Sequence, residues 1–215
     1  MADINSPSKS TWVNVTAAGE LALAIAVIGL GAQLLGRLDS TAGLILGIWI
    51  ACGGLIHLAV GVGCQLKGLN TNANAFWLFG TFLMLASGIE FVVRYLAAVN
   101  GWGPIAHTVN GYMWIPIWFA VWFWTPSILK EAPLVFILTV LCLDIAFPIT
   151  SLLHLKILGH AAAPVAGYCL WIAGALTTYM GGATVMNASF GRSILPLGAP
   201  IIKPKVNVTS VSHHG

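Results

Sequence analysis

The chain has 215 residues, of which 58% are hydrophobic and only 7% charged, and its formal net charge is +3. An average soluble domain carries about 25% charged residues, so this composition cannot make a water-facing surface. The small, scattered excess of positive charge also argues against a nucleic-acid patch. The solvent is therefore lipid, and the expectation is a multi-pass integral membrane protein.

Residues 1–16 are short and polar, with no small-residue cleavage site after a brief apolar core. They are read as a tail rather than a removable signal. Beyond them the chain divides into apolar runs of the length a hydrocarbon layer demands, about 20 helical residues. The sequence predicts spans over 17–36, 42–66, 75–99, 109–125, 133–153 and 163–186. Polar punctuation separates them: Arg37 and Asp39, Lys67 with the stretch 68–74, the loop holding Gly101, Gly103 and Pro104, the pair Lys130 and Glu131, and Lys156 with His160. The runs are about twice the length of a barrel strand and do not alternate polar with apolar residues. The expected fold is therefore all-α, with six transmembrane helices over 17–190, a tail over 1–16 and a second tail over 191–215.

Cytoplasmic loops are enriched in Lys and Arg. With six spans, Lys9, Lys67, Lys130, Arg192, Lys203 and Lys205 share one side, and Arg37, Arg94 and Lys156 the other. This distribution places both termini in the cytoplasm, in a plasma or bacterial inner membrane.

Cys52, Cys64, Cys142 and Cys169 all fall inside expected spans, far wider apart than zinc ligands, and are read as core residues. The chain shows no phosphate-cradling loop, metalloprotease helix or nucleophile elbow, so neither an enzyme, a metal nor a cofactor is expected. Gly43, Gly47 and Ala51 form a stripe of small residues that lets backbones approach, read as packing within the chain in preference to a subunit interface. Trp114, Trp118 and Trp122 line one face of the fourth span, and the expectation for them is a lipid or subunit contact.

Ionisable side chains within a bilayer are costly and normally face a cavity or a partner. Glu20 lies near the start of the first span, His57 within the second, and Asp144 midway in the fifth. Glu90 and Arg94, four apart, are expected to pair on their own helix. His57 has two readings, a side chain satisfied by a backbone carbonyl or a proton relay. Asp144 is the strongest single functional hint, with His57 as its expected partner in proton exchange. Asn187, near the end of the last span, is read as a helix cap.

The run Ala166, Gly167, Tyr168, Gly174, Ala175, Tyr179, Asn187 and then Phe190-Gly191-Arg192-Ser193-Ile194-Leu195-Pro196-Leu197-Gly198 resembles the end of bacterial succinate-acetate permeases, in the acetate uptake transporter family. A second match covers Gly53, Gly54, Gly61, Lys67, Gly68, Ala75, Phe76, Gly80 and Phe82, with His57 where the family has Gln. Leu129-Lys130 and 138–141 extend it over most of the chain. The resemblance implies six spans and a narrow path for small carboxylates in each protomer of a hexamer. It also implies an apolar pinch at positions matching Leu23, Phe79 and Leu138. The family's Asn-Pro-Ala-Pro-Leu-Gly-Leu segment appears here as Asn14-Val15-Thr16-Ala17-Ala18-Gly19-Glu20, keeping Asn14 and Gly19 and placing Glu20 at a Leu.

The functional expectation is a proton-linked transporter or channel for small monocarboxylates, acetate-like and extending to succinate. It would work as a homo-oligomer in lipid, with no nucleic-acid partner. Leu23, Phe79 and Leu138 would form the constriction, and Glu20, His57, Asp144, Asn14 and Asn187 the polar path or proton relay. Two other readings stand beside it: a non-transporting scaffold subunit of a larger complex, and a pore for a small neutral solute or ammonium.

Overall fold

The computed structural model describes residues 16–39, 41–103, 105, 106 and 108–202, so Asn14 lies outside the described residues. The described chain is helical throughout, without a strand: α1 (Thr16–Leu34), α2 (Gly43–Leu66), α3 (Asn70–Val99), α4 (Thr108–Glu131), α5 (Leu134–His154) and α6 (Ala163–Phe190). Five of these are long and apolar enough to cross a membrane. The other, α4, has 24 residues, and at 1.5 Å per residue it is about 36 Å long. Its tryptophans, Tyr112, Pro116 and Pro126 lower its mean hydropathy without making it polar.

Two boundaries differ most from the sequence reading. The polar stretch 70–74 is the first turn of α3, where the Asn74 amide donates to the Asn70 carbonyl at 2.9 Å. Helix α4 continues past Thr125 to Glu131, because a proline inside a membrane helix need not end it.

The helices pack in chain order as a ring, and α6 closes on α1; α3 meets α4 mainly through its first segment, Asn70–Leu78. Thr16 and Phe190 therefore lie at one end of the bundle, the tail end, and the α1–α2, α3–α4 and α5–α6 turns at the other. Thr184 of α6 donates to the Glu20 carboxylate of α1 at 3.2 Å, which ties those two helices at the tail end.

Small residues set the close crossings, as expected where helices share no hydrophobic driving force in lipid. A methyl group on Gly88 would lie 2.6 Å from the Gly47 carbonyl oxygen and 2.7 Å from the Ala51 amide nitrogen. The Gly43–Gly47–Ala51 stripe thus packs against α3 of the same chain. Lower on the same crossing, a methyl on Gly54 would come within 2.8 Å of the Gly80 oxygen. On α6, Gly167, Gly174 and Gly181 recur at seven-residue spacing against Leu35, Ile28 and Leu21 of α1 and its C-terminal turn.

The Phe190–Gly198 motif is a clasp. Gly191 ends α6 in the left-handed region at φ 61°, a conformation that costs a residue with a Cβ. The chain then folds back over the α4–α5 turn. Asn187 accepts from the Ile194 and Leu195 amides at 2.7 and 2.9 Å and donates to the Leu195 carbonyl at 2.8 Å. Tyr179 donates to the Pro196 carbonyl at 2.9 Å, and the Val135 amide donates to Leu197 at 3.1 Å. Asn187 is therefore the pin of this clasp and not a simple end-cap. Asn187→Ala is expected to leave those amides without their partner and to lower stability by roughly 1–3 kcal/mol, read as a fall in the melting temperature of the purified protein in detergent.

Candidate functional site: two cavities separated by an aromatic plug

Inside the ring lie two cavities. The one at the tail end has a volume of about 150 Å³ and reaches Leu23, His57, Phe79 and Thr177 at its deep end, with Glu20 and Glu131 among its lining. The one at the opposite end is larger, about 690 Å³, and its lining includes Leu83, Glu90, Arg94, Trp114 and Phe147. Phe79 lines the first and Leu83 the second, so one helical turn of α3 separates the two spaces.

That turn lies in an unusual stretch: residues 79–86 form a π-helix inside α3, a geometry that in short form is found frequently at functional sites. Phe79 meets Phe147 of α5 edge-to-face, with ring centroids 6.0 Å apart, and Phe147 in turn packs on Trp114 of α4 at 5.2 Å. Phe79, Leu83 and Phe147 are buried. Around them Val27, Val121, Val140 and Leu143 are almost wholly removed from the surface. The barrier is apolar and held by side chains from four helices.

His57 is fully buried, and its Nε2 lies 2.8 Å from the Gly19 carbonyl oxygen, which can only accept; Nε2 is therefore the protonated nitrogen. The Phe76 ring packs edge-on to the imidazole at 5.0 Å. Glu131 accepts from the Thr71 hydroxyl at 3.2 Å, joining α4 to the first turn of α3 across the narrowest contact of the ring. Glu20, His57, Leu23 and Phe79 thus share one cavity.

Leu138 does not share it. Its side chain is 42% exposed on the outer face of α5, while its neighbour Ile137 is buried. A register shift of one residue on a helix turns a side chain by about 100°, enough to move this position from lumen to lipid. Asp144 is also elsewhere, lining neither cavity. Its carboxylate accepts from the Thr125 hydroxyl of α4 at 2.8 Å. Its backbone carbonyl is the one that Pro148, four residues on and without an N–H, leaves unpaired; the Trp122 indole donates to it at 3.0 Å. Asp144 and Trp122 thus fasten α4 to α5, and the expected exchange between Asp144 and His57 has no geometric basis. Asp144→Asn keeps an acceptor for Thr125 and is expected to leave any transport and its response to a pH gradient unchanged, measured as uptake by vesicles with and without that gradient.

The tryptophan stripe divides. Trp114 is buried and lines the larger cavity, Trp118 stacks on Phe119 at 3.9 Å, and Trp122 is partly exposed at the helix junction. Trp114 and Phe147 are the plug residues that the sequence reading missed. Cys52 is exposed on the outside of the bundle, whereas Cys64 is buried. Among the described residues no group of three His, Cys, Asp or Glu side chains is placed to hold a metal ion.

No protein-family model and no curated protein matches the chain. Among solved structures, the chain is similar to the bacterial acetate channel SatP, with a TM-score of 0.74 and 20% sequence identity, over 87% of this chain and 100% of that one. The chain has the fold of that channel.

Proposed function

We propose that this chain is a membrane channel or transporter for small monocarboxylates of the acetate type. The observation that carries this reading is the pair of cavities divided by the Phe79–Leu83–Phe147 plug, in a helical bundle with the fold of an acetate channel. A short apolar barrier between two cavities suits a solute that is small and partly apolar, because a hydrated inorganic ion would have to shed its water there. A one-turn barrier places little polar backbone in the way. The scaffold reading requires the ionisable groups of the spans to pair off or to be sealed in packing; Asp144 bonds to Thr125 of the neighbouring helix and lines neither cavity, whereas Glu20 and His57 line the tail-end one.

Within this reading, proton linkage rests on Glu20, His57 or the substrate's own carboxyl group. Succinate is a second substrate, the assembly is a hexamer, and both tails lie in the cytoplasm of a plasma or bacterial inner membrane. A substrate panel tests the proposal: vesicles carrying the protein should take up labelled acetate saturably, with competition by short monocarboxylates and none by ammonium. Competition by ammonium alone would favour the neutral-solute and ammonium reading. Topology is checked by cysteine labelling, which should reach a C-terminal cysteine only from the cytoplasmic face.

A further inference from the structure

The two cavities carry opposite charge. The carboxylates of Glu20 and Glu131 line the tail-end cavity, and among the described residues no Lys or Arg lines it. Lys130 is next to Glu131 in sequence but belongs to neither lining, and neither does Lys67. The larger cavity carries Arg94 and Lys156 against the single carboxylate of Glu90, together with His154 and His160. Arg94 is paired with Glu90, yet its Nε is buried with no hydrogen-bond partner among the described residues. Lys156 follows α5 with φ at 59°, a left-handed conformation that elsewhere in the described chain only glycines adopt. A Gly at this position would close the helix without strain, so the fold itself does not require an amine here.

We propose that this arrangement makes the path one-sided toward anions: a small carboxylate is collected in the Arg94–Lys156 mouth, and Glu20 and Glu131 hold it off at the other mouth. The proposal rests on the monocarboxylate reading and adds to it the residues that set apparent affinity at each face. Clefts in which one sign of charge predominates raise the local concentration of counter-ions, by about 10-fold to 1,000-fold where the lining is of one sign, and the apolar walls around these mouths screen the field poorly. A passive path cannot pump, so at zero voltage and equal pH the ratio of maximal rate to half-saturating concentration must be the same from both faces. The asymmetry therefore appears in the half-saturating concentration, which falls on the basic side together with the maximal rate from that side.

The test compares sealed membrane vesicles of right-side-out and inverted orientation carrying the full chain, with the same pH on both sides and no membrane potential. Initial rates of labelled acetate uptake are measured over a range of concentrations. The face bearing the basic mouth is identified in parallel vesicles of the same two orientations carrying a Lys156→Cys variant, with the native cysteines replaced, by modification with a membrane-impermeant thiol reagent. The half-saturating concentration is expected to be lower from that face by roughly tenfold or more, and to converge toward the other value in about 1 M salt, where screening acts within about 3 Å. Glu20→Gln with Glu131→Gln should lower the value from the acidic face several-fold. Lys156→Gly, which suits the left-handed backbone and removes only the cation, should raise it from the basic face. Equal values from both faces, with saturable uptake intact, would overturn this proposal alone. No saturable uptake in either orientation would overturn it together with the monocarboxylate reading.

Discussion

Phe79→Ala should speed passage and admit larger acids. Phe79 is the ring that separates the two cavities, and its contact with Phe147, at a centroid distance of 6.0 Å, closes the space between α3 and α5. Truncating it removes the bulk of the barrier on one side and leaves Leu83 and Phe147 to close the other. Each 1.4 kcal/mol taken from a transport barrier is about tenfold in rate, so a gain of that order is expected for acids one or two methylenes longer than acetate. The same truncation exchanges a buried aromatic side chain for a cavity, at a stability cost of roughly 3–5 kcal/mol in a closed core. Phe79→Leu therefore serves as the milder companion: it keeps most of the fill, and its selectivity should lie between the parent and Phe79→Ala. A folded Phe79→Ala protein with unchanged selectivity would remove this residue from the route.

Gly88→Leu should prevent the bundle from assembling. Even a bare methyl at this position would lie 2.6 and 2.7 Å from backbone atoms of α2, which cannot rotate away as a side chain can. Helices α2 and α3 would have to separate along the crossing that also holds Gly54 against Gly80, next to His57. Overpacking a well-filled core typically costs about 1–3 kcal/mol, and a backbone clash along a whole crossing should exceed that, giving aggregated or unstable protein in detergent. Gly182→Ala is the matched control. Among the described residues nothing lies within 4 Å of a methyl group there, and exchanging Gly for Ala within a helix is neutral or favourable by up to about 1 kcal/mol. Equal melting temperatures for the two variants would contradict the packing described here.

The all-helical bundle was legible in the sequence because lipid imposes a simple rule: each crossing needs a long apolar run, and charges mark the turns. The ends of α3 and α4 were less legible, since asparagines and prolines that signal loops in water are compatible with helix at a membrane surface or inside a bundle. Leu23 and Phe79 were named only through the resemblance, and both line the tail-end cavity; Leu138 came from a register that slips, and on a helix a slip of one residue exchanges lumen for lipid. Asp144, midway in its span, was expected to exchange a proton with His57, but a sequence gives no hint which neighbouring helix stands beside a given side chain. Here it is α4, through Thr125, with Trp122 answering the carbonyl that Pro148 frees. Phe147 left no signal of its own, and Trp114 was read with its stripe as a lipid or subunit contact, because an aromatic residue facing a cavity and one facing lipid are spelled alike. The charge of the two mouths was likewise hidden, since Arg94 and Lys156 are far apart in the chain and come to line one cavity only when the ring closes.

The central claim is that solute crosses this chain through the plug between its two cavities. The most direct measurement is uptake of labelled acetate by liposomes containing only this protein, at a pH where the free acid is scarce, compared with the plugged variant Leu83→Trp, which enlarges a buried side chain at the barrier. Uptake well above that of protein-free liposomes, lost in a Leu83→Trp protein that keeps the parent's helical content and elution volume, is the expected result. Uptake by the folded parent no faster than by protein-free liposomes, or uptake untouched by the plug, would contradict the account.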